Sequence, residues 1–185
     1  MNTHLKIKMT ADQFIAWSEK QSAGRYELAG GEVVKIPAER VRHVRIKYAI
    51  ARLIEDAITA AKLDYEFLGD GVSLRIDAHC VREPDGCIAM RPAADDESLE
   101  VVAPVVVIDV ASPLAERDDS QDKLAEYFSL SSVEHYLLIK PWCETVIHHR
   151  RNADGSLTTR ILRSGAVHLS PPGIVIAVEA LLGKP

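Results

Sequence analysis

The sequence predicts a mixed α/β domain: a central sheet with helices on its faces. Three observations carry that reading. Residues 105–108 (Val-Val-Val-Ile) form an unbroken apolar run, as in a strand buried on both faces. From 39 to 62 the chain has no Gly or Pro, and Ile46, Ile50, Leu53, Ile54, Ala57, Ile58 and Ala61 recur at three and four, the stripe of a long amphipathic helix. Turn-forming Gly, Pro, Asn and Asp clusters separate β-prone runs on either side of that helix, so strands and helices mix along one chain. A length of 185 residues suits one domain with a sizeable core, taken as residues 1–185, with 1–9 as a flexible or strand-adding arm.

Taken in order, Thr10-Ala11-Asp12-Gln13 has the form of a capping box before Phe14, Ile15 and Trp17, which predicts a helix over 10–20. Residues 25–28 and 32–36 flank Gly30-Gly31 and read as a hairpin. After the long helix, 64–68 and 72–76 read as two strands around Gly69-Asp70-Gly71, the second half-exposed by its alternation. A short apolar run, 87–90, follows Pro84-Asp85-Gly86, and 91–100 is a polar loop. The 105–108 strand ends in Asp109, and a helix starts near Asp118 and carries Lys123. A strand over 134–139 stops at Pro141. Residues 144–150 and 157–162 form a second hairpin around Asn152-Ala153-Asp154-Gly155. Pro171-Pro172-Gly173 marks a turn before a last helical turn over 178–182.

Hydrophobic residues make up 47% of the chain and charged ones 26%, which excludes disordered and collagen-like classes. No apolar run approaches the ~18 residues of a membrane span. The lysine-containing start, MNTHLKIKMT, lacks a following apolar core, so no secretory leader is expected and the cytoplasm is the expected location. Cys80, Cys87 and Cys143 are odd in number and lack metal-ligand spacing, as expected of reduced, buried thiols. A net charge of -5 argues against a nucleic-acid coat protein but leaves room for one basic patch. Arg40, Arg42, Arg45, Lys47 and Arg52 supply such a patch in the first half of the long helix.

A carboxylate at the end of a buried strand is costly unless paired, solvated or metal-bound. Asp109 is placed that way, and Asp85 precedes the neighbouring short strand. Two acids on adjacent strands can share one hard cation such as Mg²⁺. The ordinary alternatives are a turn role for Asp85 and a capped strand end for Asp109. Lys123 suits orienting a water or neutralising phosphate charge, or else a helix-surface pair with Asp119 four residues earlier. Glu27, Glu32 and His43 form a third candidate set, with strand-face charges and a boundary histidine as the alternative. His148 and His149, as strand neighbours, point to opposite faces and read as strand surface. Phosphate-loop, dinucleotide, GxSxG and HExxH patterns are absent.

Several stretches resemble, in order, the Uma-type family of bacterial restriction endonucleases. They are Tyr26-Glu27-Leu28-Ala29-Gly30-Gly31-Glu32-Val33-Val34, His43, Pro84-Asp85, Val107-Ile108-Asp109-Val110-Ala111-Ser112-Pro113, Asp119 to Lys123 with Tyr127, and Val133-Glu134-His135-Tyr136-Leu137-Leu138-Ile139. The tail over 167–183 is similar too, so the resemblance runs from about Met9 onward. It implies the PD-(D/E)xK nuclease superfamily and a restriction-endonuclease-like mixed sheet flanked by helices, here with an N-terminal helix and hairpin. It makes Asp85 the motif aspartate, Asp109 the second acid, Lys123 a lysine shifted onto the following helix, and Glu32 the N-terminal acid. Three positions depart from the pattern: Asp109 stands where Glu is usual, Ala111 where the strict motif has lysine, and Ala29-Gly30-Gly31 where an acidic turn is usual.

The expected function is a Mg²⁺- or Mn²⁺-dependent endonuclease hydrolysing DNA phosphodiesters. Asp85, Asp109 and the Val110 carbonyl hold the metal, Lys123 positions the water, Glu32 and His43 flank the site, and Arg40, Arg42, Arg45 and Lys47 meet phosphates. DNA and a second copy of the chain are the expected partners, with no membrane. The alternative is a catalytically weakened or inactive nuclease-fold module that binds nucleic acid or protein.

Overall fold

A computed structural model describes residues 8–111 and 120–183. The N-terminal helix α1 (Ala11–Ser18) begins at the expected capping box: Thr10 accepts the Gln13 N–H at 3.3 Å, and the Gln13 side chain accepts the Thr10 N–H at 2.9 Å. β1 (Arg25–Ala29) and β2 (Glu32–Ile36) form the expected hairpin. Its turn needs positive φ at both central residues, and Gly30 and Gly31 supply φ of 55° and 85°. The long helix α2 spans Val41–Ala60. β3 (Tyr65–Gly69), β4 (Leu74–Asp77), β5 (Cys80–Arg82), β6 (Gly86–Met90) and β7 (Val106–Val110) follow. After α3 (Ser120–Ser129) come β8 (His135–Lys140), β9 (Thr145–Arg151), β10 (Leu157–Leu162), β11 (Ala166–Leu169), β12 (Ile174–Ala177) and the short α4 (Val178–Leu181).

The main sheet has six strands in the order β10-β9-β8-β7-β6-β3. β7 and β8 are parallel, joined across α3; the other pairs are antiparallel. β7 is therefore central and β6 lies beside it, as its unbroken apolar run requires. Alternation divides the strand between two cores. Val106, Ile108 and Val110 pack with Ile50, Ile54 and Ile58 of α2 and with the β11–β12 hairpin and α4. Each of those buried isoleucines contributes about 1.5–3 kcal/mol of burial. Val107 faces the other way, with Tyr136 and Leu138 of β8 and Tyr127 and Phe128 of α3. Asp109, two residues on from Val107, belongs to that second face.

A separate four-stranded sheet, β2-β1-β5-β4, carries α1 through Ala11, Phe14, Leu28 and Val81. The two strands around Gly69-Asp70-Gly71 belong to different sheets: β3 is the edge of the main sheet, while β4 joins the second one. β5, which the sequence reading missed, is three residues between turns and buried throughout. The expectation that His148 and His149 lie on a strand surface is corrected, because both are buried. His135 Nε2 accepts the Ser170 N–H at 3.0 Å, so its Nδ1 carries the proton and donates to His148 Nε2 at 3.0 Å. His149 stacks on Tyr136 on the opposite face. Cys80 and Cys87 are buried free thiols, but Cys143 is exposed. Among the described residues no helix is long and apolar enough to cross a membrane.

Candidate functional site

β6 and β7 run antiparallel with Gly86 opposite Ile108, Cys87 opposite Val107 and Ile88 opposite Val106. One step further, the same register sets Asp85 opposite Asp109. The start of one strand and the end of its neighbour thus deliver two acids to one rim of the sheet. Gly86 is required there, since a Cβ would run into the Phe67 ring on β3.

Asp85 is held from three directions. Its Oδ2 accepts the Val110 N–H at 2.6 Å, its Oδ1 accepts from Lys47 Nζ at 3.2 Å, and His43 Nε2 lies 3.8 Å from Oδ2. Burial favours the neutral acid, but the nearby His43 imidazole, the Lys47 charge and the Val110 amide outweigh it, and the pKa falls below the usual carboxylate range. Lys47 is only 8% exposed and also donates to Glu39 at 2.6 Å and Asp70 at 2.5 Å. Arg25 extends this network, reaching Glu39 at 3.1 Å, Asp70 at 2.7 Å and Glu83 at 2.5 Å.

Asp109 is 8% exposed, and its Oδ2 accepts the Tyr136 hydroxyl at 2.9 Å. Burial pushes its carboxyl up to about 6; the Lys123 charge and the Tyr136 bond pull it down, and the Asp85 and Glu27 charges push it up. Lys123 Nζ lies 3.2 Å from Glu27 Oε1. Glu27, 5% exposed on β1, also accepts from Arg82 at 3.0 Å and from the Glu83 N–H at 3.1 Å. Arg82 grips Glu126 of α3 through two bonds, at 2.6 and 3.0 Å.

Among the described residues, the connected set comprises the carboxylates of Glu27, Glu39, Asp70, Glu83, Asp85, Asp109 and Glu126 and the cations of Arg25, Lys47, Arg82 and Lys123. Acids outnumber permanent cations, and burial raises the pKa of two of the acids, Glu83 and Asp109. An oxygen-rich, negatively charged rim fits a hard divalent cation. Glu39, His43 and Asp85 also bring ligand atoms within 4.8 Å of one another, although Lys47 already contacts two of these three.

The structure brings Asp85, Asp109, Lys123 and His43 to this rim, and Val110 joins it through its amide. It does not bring Lys47 to the surface: that residue, expected to meet DNA phosphates, is buried among carboxylates. Arg40, Arg42 and Arg45 are exposed, Arg40 just before and the other two within the first turns of α2. Glu32 is exposed beside the hairpin turn, and Glu27 is the hairpin acid that meets Lys123. Asp119 lies outside the described residues. The sequence reading missed Glu39, Arg82, Glu126 and Tyr136. A charged residue inside the apolar run Cys80-Val81-Arg82 and a Glu four residues before His43 were the available signals.

A mixed sheet flanked by helices, with paired acids and lysines at one rim, is a nuclease-like fold. The chain belongs to the Uma2 family, described as "Putative restriction endonuclease", whose sequence profile matches residues 11–181. It is 26% identical over 149 residues to the uncharacterized protein sll1609 of Synechocystis sp., covering 79% of this chain and 82% of that one. In fold it is similar to a crystal structure from Anabaena variabilis described as a "putative nuclease belonging to DUF820". The TM-score is 0.75 at 15% identity, over 95% of this chain and 98% of the other.

Proposed function

We propose that the chain is a Mg²⁺-dependent endonuclease hydrolysing DNA phosphodiesters. The observation that carries this reading is the facing of Asp85 and Asp109 across β6 and β7, with the Asp109 carboxyl pushed up to about 6 by burial. Asp85 and Asp109 would hold the ion, with the Val110 carbonyl as a further ligand. The ion's chemistry, when bound, is to polarise a phosphoryl oxygen and make water more acidic. Lys123 orients the attacking water and offsets charge growing on the phosphate. His43 keeps Asp85 ionised. Arg40, Arg42 and Arg45 bind the DNA backbone, and exposed Val41, Val44 and Tyr48 on the same helix give apolar surface for sugars and bases. Free thiols are in keeping with a reducing, cytoplasmic location.

The second reading, a binding module that keeps the fold without cleaving, is favoured by Lys47, whose ammonium already occupies carboxylates a metal would need. Thermal melts with Mg²⁺ or Mn²⁺, run beside a plasmid-nicking assay, separate the two. At ~100 times Kd the ion should stabilise the fold by about 2.7 kcal/mol. Asp85→Asn and Asp109→Asn should each remove that gain, and Lys123→Ala should keep it while losing cleavage. No melt shift and no nicking would leave the binding module. In either case, Gln at 40, 42 or 45 should reduce the log–log salt slope of duplex binding by about 0.9 per lost contact. Lys47→Gln should leave the slope alone.

A further inference from the structure

Asp109 is steered by a residue that the nuclease reading does not use. We propose that Tyr136 is a positioning residue for Asp109, its hydroxyl fixing one carboxylate oxygen so that the other faces the rim where a divalent cation would sit. This rests on the metal reading above. Tyr136 lies on β8, directly opposite Val107 in parallel register, two residues short of Asp109. That offset is about 6.6 Å along a strand, within the reach of a phenol side chain laid along the sheet. The hydroxyl accordingly meets Asp109 Oδ2 at 2.9 Å.

The ring is not free to turn away. Tyr136 is 1% exposed and stacks on His149 of β9 with centroids 5.7 Å apart and planes at 15°. His149 is itself tied to Thr159 of β10 at 2.8 Å. From the helix side, the Tyr127 ring lies against Tyr136 with centroids 5.1 Å apart. Strands and helix thus clamp the phenol before any ligand arrives, so little ordering is left to do on binding. The donor is also of the right kind. A phenol is neutral, so it can hold the carboxylate in place without placing a positive charge against an incoming cation. Asp85 differs, since one of its oxygens is held by an ammonium. Outer-shell donors of this sort orient metal-binding side chains in general.

Tyr127 supplies the control. It is fully buried, on the same face and in contact with the same ring, yet among the described residues its hydroxyl has no hydrogen-bond partner. Tyr136→Phe and Tyr127→Phe remove the same atom from neighbouring rings. Mn²⁺ affinity, measured by calorimetry on the full chain, should weaken about 10- to 100-fold in Tyr136→Phe. It should be unchanged in Tyr127→Phe. In an Asp109→Asn background Tyr136→Phe should have no further effect. Wild-type affinity in a folded Tyr136→Phe variant would overturn the inference while leaving the metal reading standing. A wild-type protein that binds no Mn²⁺ would remove both. Should Tyr136→Phe fail to fold, wild-type protein labelled with ¹³C at tyrosine Cζ decides the matter. Mg²⁺ should move the Tyr136 resonance more than that of Tyr127, and a static Tyr136 resonance overturns the proposal.

Discussion

Asp85 and Asp109 stand opposite each other on neighbouring strands, yet their surroundings drive their protons in opposite directions. Asp85 has a backbone amide, an ammonium and an imidazole on its two oxygens, and these donors outweigh burial, so it stays ionised. Asp109 has one phenol and a lysine whose ammonium also meets Glu27, and burial wins. The difference lies in which element faces each acid. α2 brings Lys47 and His43 to Asp85, whereas α3 brings Lys123 to a point between Asp109 and Glu27. Paired acids with divergent pKa values are a common sign of distinct roles. Here they also mean that the Asp109 half holds the unmet demand for positive charge.

The largest effect should come from removing each half's lysine. Lys47→Met strips the ammonium from Glu39, Asp70 and Asp85 and leaves buried charge uncompensated, costing about 3–5 kcal/mol. The lower end is expected, because Asp70 is partly solvated. Lys123→Met should cost less, about 1–3 kcal/mol, since Glu27 keeps Arg82 and the Glu83 N–H. Urea unfolding in EDTA measures both. Equal losses would mean that the halves are not organised differently.

The pH dependence should carry opposite signs for the two acids. Asp109 has a raised pKa, so between about pH 4 and 6 the folded chain binds a proton that the unfolded chain has lost. Its contribution is present below that window and lost as pH rises through it, at up to about 1.4 kcal/mol per pH unit. Asp85 has a lowered pKa, so its contribution is present above the ordinary carboxylate range and lost as pH falls through the folded value. Melts of wild type and Asp109→Asn in EDTA should therefore diverge from pH 4 to 6, with the variant gaining. Asp85→Asn should fall behind wild type as pH rises from 2 to 4. A parallel pair of curves for Asp109→Asn would place its proton elsewhere.

Much of this rim was legible because local patterns specify it. The run at 105–108 identifies a central strand, the three-and-four periodicity identifies α2, and Gly30-Gly31 sets the first hairpin. What stayed hidden depends on partners distant in sequence. Lys47 sits in a basic run and reads as a phosphate contact; only the fold surrounds it with Asp70 and Asp85. Glu27 and Glu32 are equivalent acids on one hairpin until β5 pairs with β1 and buries the first. β5 itself is too short to show a period. His148 and His149 follow the strand alternation correctly, but both are buried, His148 against His135 on one face and His149 against Tyr136 on the other.

The smallest expected effect lies within the Asp109 half, at Tyr127, and is sharpest when set against Tyr136. Tyr136 donates to a carboxylate, so Tyr136→Phe should cost about 1.5–3 kcal/mol above pH 6, where Asp109 is ionised, and less below it. Tyr127 is held neutral by burial, with the Asp109 charge adding to that, and its hydroxyl lacks a partner among the described residues. Removing that hydroxyl forfeits no protein hydrogen bond and relieves a desolvated donor. Tyr127→Phe should therefore be neutral or stabilising by up to about 1 kcal/mol, with no dependence on pH between 4 and 8. Urea midpoints across that range test it. A loss of about 1 kcal/mol or more would reveal a buried water bonded to the Tyr127 hydroxyl. The contrast between the two rings would then be one of water against carboxylate, rather than of an unmet donor against a satisfied one.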